Sequence, residues 1–204
     1  GSSRSEGHLD ETVLPHLEQA LQDPAPLKLI IVHLLGAHPT YRFRYPASYS
    51  RFDGVEDEVT RGLTAQGRSG KAIRLRNQYD NVMLYSDHVL RQTLELCRKS
   101  RTPVAWLFSP DHGQDVAHYS DYAGHNDRVI SMYEVPFLFW RSPGFEQGVS
   151  DLSRVASRPY QLDSLDNTLL GLMQIGGEFY DSSRDLFSPS FTPCERVVAG
   201  KPYP

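Results

Sequence analysis

The sequence reads VAWLF over Val104–Phe108 and, after Ser109-Pro110, DHG over Asp111–Gly113. A short apolar run of this kind predicts a strand that is covered on both faces, as in a parallel sheet. In open sheets of helix–strand proteins, ligand-binding groups gather just past the carboxyl ends of the strands. The DHG turn is therefore a candidate site.

A second turn of the same kind lies upstream. Leu27–Leu35 is apolar apart from Lys28 and His33, which predicts another buried parallel strand, and His38 follows its end. Two histidine-bearing turns thus stand where ligand groups collect in such sheets. This coincidence is the most informative feature of the sequence.

Hydrophobic periodicity predicts the remaining elements. Asp10 is the predicted N-cap of the first helix. The order of the elements predicts an α/β fold with a mainly parallel sheet and helices on both faces. The predicted elements are helices over Leu9–Leu21, Ala72–Lys99 and Leu162–Ile175, a third strand over Tyr133–Trp140, a long polar loop over Gly36–Gly70 and a surface tail from Phe179.

The composition and hydropathy of the chain exclude some classes of function. The 204 residues include 21 Lys and Arg against 25 Asp and Glu, a net charge of −4, which argues against a protein whose partner is a nucleic acid. No apolar stretch approaches the roughly 18 residues of a membrane span, and the N-terminus lacks the features of a signal peptide. Residues 1–8 read as a tag scar or linker, and we expect the chain to be a piece of a longer protein.

The DHG turn offers two kinds of zinc ligand, a carboxylate from Asp111 and an imidazole from His112. Gly113 allows a sharp backbone turn that aims both side chains inward. His118 and His125 follow in the next loop, and either can complete a site with His112. The alternative is an N-capping aspartate beside a hydrogen-bonded histidine, with exposed histidines in the loop.

Several enzyme classes lack their usual motifs. The sequence contains no Gly-rich phosphate loop and no GxSxG elbow. A sulfatase that converts cysteine to formylglycine needs Cys-x-Pro-x-Arg, whereas no proline follows Cys97 in that pattern. Cys97 and Cys194 are also too few for a disulfide framework and are not spaced as a CxxC motif.

A family resemblance runs in order along nearly the whole chain. The sequence resembles the periplasmic catalytic domain of bacterial phosphoethanolamine transferases, in the alkaline phosphatase and sulfatase superfamily, and within them the branch that modifies lipopolysaccharide core or periplasmic glucans. The segments that carry the resemblance are HLLGAH at 33–38, RYP at 44–46, YDN at 79–81, DHVL at 87–90, DHG at 111–113, GHN at 124–126 and VPFLFW at 135–140.

The resemblance implies an alkaline phosphatase/sulfatase-like α/β fold, of which residues 9–204 are the C-terminal part. It implies an inner-membrane enzyme with a periplasmic domain, anchored by N-terminal helices, that moves phosphoethanolamine from phosphatidylethanolamine onto a threonine and then onto lipopolysaccharide or a glucan. By resemblance, Asp111 and His112 are zinc ligands. His38 and His125 match active-site histidines that hold the phosphoryl group or a second metal.

The chain departs from the family pattern at three points. The family's threonine nucleophile and acidic zinc ligand lie upstream of the helix at Asp10, so this chain is not expected to turn over alone. Pro110 and Gln114 replace the serine and glutamate that commonly flank the DHG sequence, and Pro39 follows His38 where many relatives have a small residue.

Other functions remain open from the sequence. Shared metal ligands do not separate a transferase from a phosphoryl or sulfuryl ester hydrolase or a phosphoglycerol transferase of the same superfamily. A third alternative is a non-catalytic module that binds a glycan. Cys97 and Cys194 can form a disulfide in an oxidising periplasm, although Cys97 equally fits an ordinary buried thiol.

Overall fold

The computed structural model describes residues 9–146, 151–198 and 200–203. The predicted linker at residues 1–8 lies outside this part of the chain. Two compact units are formed, and both histidine-bearing turns belong to the first. Of the described residues, the first unit comprises those in 9–24, 30–101 and 105–140, and the second comprises those in 25–29, 102–104, 141–146, 151–198 and 200–203.

The predicted N-terminal helix is confirmed as a 3₁₀ turn, Asp10–Val13, that continues into α1 (Leu14–Gln22). Pro15 lies in the first turn of α1. A backbone N–H group at this position would have no acceptor within the helix, so its absence in proline costs no hydrogen bond. The N-cap prediction for Asp10 is wrong, because the Asp10 carboxylate accepts from the backbone N–H groups of Leu35 and Gly36, at 2.9 and 2.8 Å. Asp10 therefore holds the turn that leads to His38.

The strand predicted for Leu27–Leu35 is absent from the described sheets. A strand forms only where a neighbouring backbone supplies ladder hydrogen bonds, and no described strand is paired with this segment. Exposure alternates along it, and Leu27, Leu29 and Ile31 are 56, 49 and 79% exposed. The apolar sequence of a buried strand is thus present without a partner strand in the described residues.

Within the predicted loop Gly36–Gly70, the chain forms two 3₁₀ turns, Tyr41–Phe43 and Ala47–Tyr49, and the helix α2 (Glu58–Ala65). The start of α2 is a capping box. The Asp57 side chain accepts from Thr60 N at 2.8 Å, and the Thr60 hydroxyl accepts from Asp57 N at 2.8 Å.

The long predicted helix is confirmed as α3 (Gly70–Arg98), with Ser69 as its N-cap. One face of α3 packs an aromatic core. Asn81 is fully buried on this face, where its side-chain oxygen accepts from Arg51 N and Phe52 N at 2.7 and 3.0 Å. The core therefore joins α3 to the loop before α2, and its buried members are Tyr41, Tyr45, Val82, Tyr85 and Val89.

The described strands form three two-stranded sheets. The predicted strand Val104–Phe108 is confirmed as β1 (Ala105–Phe108), which pairs with β4 (Leu138–Arg141), the last part of the predicted third strand. β2 (Asp115–Val116) and β3 (Ala123–Gly124) form an antiparallel hairpin directly after the DHG turn. The sequence did not predict this hairpin.

The second unit contains α4 (Leu152–Ala156) and α5 (Leu165–Leu172), followed by an antiparallel pair, β5 (Val197–Val198) and β6 (Lys201–Pro202). The 3₁₀ turn Leu162–Ser164 with α5 confirms the predicted last helix, which ends before Ile175.

Both cysteines are free thiols. Cys97 is buried in α3, and burial raises the pKa of its thiol to about 11, so it is an unreactive core residue at neutral pH. Among the helices of the described residues, none combines the length and apolar character that a membrane crossing requires.

Candidate active site

The DHG turn is fixed by a close approach of two backbones. Gly113 N donates to the Met132 carbonyl oxygen at 2.8 Å, and a Cβ atom on Gly113 would lie 1.8 Å from the Ser131 carbonyl oxygen. Its backbone does not take a left-handed conformation. A glycine is therefore required here for close packing, and not for the sharp turn that the sequence suggested.

The side chains of Asp111 and His112 are arranged as a pair of metal donors. His112 Nδ1 lies 2.8 Å from the Gly113 carbonyl oxygen. Because a carbonyl only accepts, Nδ1 carries the proton and Nε2 keeps a free lone pair. A metal-bound histidine commonly donates its other ring N–H to a carbonyl in this way.

His112 Nε2 lies 3.9 Å from Asp111 Oδ2. Two ligands of one zinc ion, each about 2.0–2.2 Å from it, are at most about 4.4 Å apart. Asp111 is 89% exposed and His112 is 38% exposed at their side chains, so an ion reaches both. The two donors therefore fit zinc, and no group of three or more candidate donors occurs in the described residues.

The structure brings His125 to His112. Their ring centroids are 4.7 Å apart and the rings are nearly perpendicular, at 86°. His125 follows Gly124 at the end of β3, and the Tyr122 hydroxyl donates to the His125 carbonyl oxygen at 3.1 Å. Gly124 has φ +148°, which favours glycine. Of the two histidines that could accompany His112, His125 is the one beside it.

His118 is placed differently. Its Nε2 lies 2.6 Å from Arg76 Nη1, and a guanidinium only donates, so Nε2 accepts and carries no proton. Arg76 also forms an ion pair with Asp80 at 2.8 Å. Burial, and then the charge of Arg76, lower the pKa of His118 below its usual 6.5. His118 is therefore a neutral partner of Arg76 and not an available donor to the site.

His38 lies on the other predicted turn and is exposed. Its Nδ1 is 2.5 Å from the Pro39 carbonyl oxygen, so Nδ1 carries the proton and Nε2 is free to accept one. Arg44 Nε donates to the His38 carbonyl oxygen at 3.3 Å. The described interactions of His38 are with its own turn, and none joins it to Asp111, His112 or His125.

Two residues that the sequence analysis did not single out support the His125 loop. Asp115 is fully buried, and its Oδ2 accepts from Asn126 Nδ2 at 2.9 Å and from the Ser120 hydroxyl at 3.2 Å. Asp115 Oδ1 has no hydrogen-bond partner in the described part of the chain. Asn126 N also contacts Met132 Sδ at 3.3 Å, next to the carbonyl that holds Gly113. A buried carboxylate thus ties the loop of His125 to β2, which directly follows the DHG turn.

The aromatic and basic segment 41–46 packs on its own unit. The Tyr41 hydroxyl donates to Gln114 Oε1 at 3.4 Å, and its ring packs edge-on against Tyr79. Burial raises the pKa of Tyr41, so it remains a neutral donor. Gln114, which replaces the family's common glutamate, is therefore held by an uncharged hydrogen bond.

Comparison with known proteins identifies the family. Residues 2–175 match the family model described as Sulfatase. The chain belongs to the sulfatase family. Within this family it is 34% identical over 206 residues to phosphoethanolamine transferase EptC of Escherichia coli K12, and 34% identical to phosphoethanolamine transferase CptA of Salmonella typhimurium. Both alignments cover 98% of the chain and 35% of the relative.

Solved structures confirm the sulfatase/alkaline phosphatase-like fold. The Zn complex of the C-terminal periplasmic domain of Escherichia coli EptC superposes with a TM-score of 0.85 at 32% identity, covering 96% of this chain and 55% of that domain. The corresponding domain from Campylobacter jejuni superposes with a TM-score of 0.70 at 25% identity, covering 90% of this chain and 59% of that domain. The resemblance to phosphoethanolamine transferases, which are enzymes, is thus confirmed. The chain spans about a third of the length of these curated relatives.

Gly113→Ala tests the close approach in this sulfatase-family domain. The added Cβ meets a backbone oxygen, which cannot turn aside as the end of a flexible side chain can, so we expect the free energy of unfolding to fall by about 2–4 kcal/mol, measured by urea denaturation. Gly62→Ala is the matched control, because a Cβ there meets no atom within 4 Å in α2. The control is expected to be neutral or stabilising by about 0.5–1 kcal/mol. Equal stability of the two variants would contradict the close approach.

The lowered pKa of His118 makes the stability of the fold depend on pH. Since its folded pKa is lowered, the unfolded chain binds a proton first, near pH 6.5, and stability falls as pH drops from above 6.5 through the folded pKa. The urea midpoint should therefore fall less in His118→Gln than in the unsubstituted protein between pH of about 7.5 and about 5.5. His16→Gln, an exposed position on α1, is the control. An unchanged pH slope in His118→Gln would contradict the Arg76 contact.

Proposed function

We propose that this chain is the C-terminal part, residues 9–204, of the catalytic domain of a zinc-dependent phosphoethanolamine transferase. The donor is phosphatidylethanolamine, and the acceptor is an envelope glycan, either lipopolysaccharide core or periplasmic glucan. The enzyme lies in the inner membrane with this domain in the periplasm. The relatives named above support this assignment, as do the periplasmic domains with which the fold superposes.

One observation carries the proposal. The His112 imidazole has its Nδ1 proton bound to the Gly113 carbonyl, its Nε2 within 3.9 Å of the Asp111 carboxylate, and its ring in contact with His125. An N-capping aspartate beside a structural histidine does not require a free Nε2 directed toward a carboxylate. We therefore assign Asp111 and His112 as ligands of zinc.

Each residue has a distinct task. When bound, zinc supplies Lewis-acid polarisation of the phosphoryl group. Asp111 and His112 hold the ion, and the Gly113 carbonyl keeps His112 in the tautomer that coordinates through Nε2. His125 lies beside His112, where its imidazole can donate to a phosphoryl oxygen.

His38 has a free Nε2 because the Pro39 carbonyl holds its Nδ1 proton. This nitrogen can accept a hydrogen bond or proton from the transferred group or from an incoming hydroxyl. We propose that the nucleophilic threonine and the acidic ligand are supplied by a segment that precedes this chain in the full-length protein, since the chain covers 55% of the solved Escherichia coli domain.

The test is transfer by the full-length protein that contains this chain. Asp111→Asn and His112→Ala should each lower the zinc content and reduce transfer of labelled phosphoethanolamine from phosphatidylethanolamine vesicles by at least about a hundredfold. Mass spectrometry of the glycan acceptor provides the readout. Asp87→Asn and His16→Ala are matched controls, because both positions are exposed on helices away from the DHG turn.

Three outcomes would contradict the proposal. Transfer from phosphatidylglycerol and not from phosphatidylethanolamine would make the protein a phosphoglycerol transferase. Release of the headgroup without addition to a glycan would make it a hydrolase. Unchanged transfer and zinc content in both site variants would remove Asp111 and His112 from the site.

A further inference from the structure

A cleft of about 740 Å³ lies in the first unit, outside the candidate active site. Its walls are the segment Asp53–Glu56, one side of α2, and the first turns of α3. This volume is in the range of about 300–1,000 Å³ that small-molecule sites occupy. Neither the site described above nor the aromatic core accounts for the polar residues among those that line it, which include Asp53, Glu56, Arg61, Arg74, Asn77 and Gln78.

Asn77 is the strongest indication that a ligand belongs in the cleft. It is only 7% exposed, yet its side chain makes no hydrogen bond to the residues that the structure describes. The amide has two donors and two acceptor lone pairs, and its atoms are not among the fully buried unpaired polar atoms of the described residues, so they are open to a ligand or to water. Because Asn77 lines the cleft, a ligand there can satisfy both its oxygen and its nitrogen.

The charges around Asn77 are balanced. Arg61 and Arg74 face the cleft together with Asp53 and Glu56, two cations against two anions. Arg61 Nη1 donates a hydrogen bond to the Glu56 carbonyl oxygen at 3.1 Å. Arg74 has no ion-pair partner in the described residues. A site for a free anion needs an excess of positive charge, which this lining lacks.

Two hydrogen bonds fix the orientation of the Asp53 carboxylate. Its Oδ2 accepts from the hydroxyls of Tyr45 and Ser50, and Tyr45 in turn accepts from Asn81 in the core. Asp53 Oδ1 takes part in no described hydrogen bond and is available to a ligand. The carboxylate is thus a preoriented acceptor on the cleft wall and not a freely moving surface group.

We propose that this cleft binds the sugar rings of an oligosaccharide. A hydroxyl both donates and accepts, so neighbouring hydroxyls match carboxylate, amide and guanidinium groups placed side by side. Asn77 and Gln78 supply amides, Arg74 supplies donors, and Asp53 supplies an acceptor. The cleft then acts as an acceptor subsite, an assignment that rests on the proposed transfer to a glycan.

Helix α3 connects the cleft to the candidate active site. Arg74, Asn77 and Gln78 line the cleft, while Arg76 and Tyr79, in the same turns of α3, contact His118 and Tyr41. Tyr41 in turn donates to Gln114, next to the DHG turn. A glycan in the cleft is therefore held by the helix that supports the loops of the site.

The proposal is tested by isothermal titration calorimetry on the full-length protein. The probes are a linear glucose oligosaccharide and a lipopolysaccharide core oligosaccharide freed of lipid A. We expect at least one of them to bind, and Arg74→Ala and Asn77→Leu each to weaken its affinity by about tenfold. Arg91→Ala, an exposed arginine on α3 outside the cleft lining, is the matched control and should leave affinity unchanged.

Because Asn77 is buried, the thermal unfolding of Asn77→Leu is measured alongside, and exposed Arg74→Ala carries the test if that variant is unstable. Failure of both probes to bind, or equal affinity of Arg74→Ala and Arg91→Ala, would overturn the proposal. So would displacement of the oligosaccharide by inorganic phosphate or by O-phosphoethanolamine, which would identify an anion or headgroup site.

The sugar site and the proposed transferase function can be refuted separately. Oligosaccharide binding that depends on Arg74, in a protein that transfers nothing from phosphatidylethanolamine, would refute the proposed function and keep the sugar site. Transfer that depends on His112 while the cleft variants bind normally would refute the sugar site alone.

Discussion

The candidate site depends on the contact between the DHG turn and the backbone of Ser131–Met132. Gly113 donates to the Met132 carbonyl and leaves no room for a side chain against Ser131. The same methionine contacts Asn126 through its sulfur, so the loop of His125 is anchored at the same place. Two chain segments that are distant in sequence are thereby held so that His112 and His125 touch.

This contact also determines the chemistry of the donors. With Gly113 held in place, its carbonyl takes the Nδ1 proton of His112 and leaves Nε2 free beside Asp111. Because a fixed carbonyl orients the His112 ring, less reorganisation is needed when an ion binds. Hydrogen bonds to the second ring nitrogen orient histidine ligands in the same way in other metal sites. Asp115 has the same supporting role for the neighbouring loop through Asn126. The site is therefore built by backbone and buried groups that are not themselves ligands.

Features encoded locally were predictable from the sequence. β1 and the DHG turn follow from an apolar run and the residues after it, and α3 follows from apolar residues at steps of three and four. Features that depend on residues far away in the sequence could not be predicted in this way. Leu27–Leu35 has the composition of a buried strand, but strand pairing is decided by its neighbours, and Asp10 caps a distant turn because the fold brings Leu35 to it. α2 was missed because its eight residues make only about two turns and lie within a long polar stretch that contains several glycines.

We propose that Asp111 and His112 bind zinc as a prearranged pair. Anomalous diffraction at the zinc absorption edge, from crystals of the full-length protein, locates the ion and its ligands. We expect an anomalous peak about 2.0–2.2 Å from both the Asp111 carboxylate and His112 Nε2, with His112 Nδ1 still bound to the Gly113 carbonyl. A peak coordinated by other residues, or a zinc-loaded crystal in which His112 Nε2 contacts no metal, would contradict it.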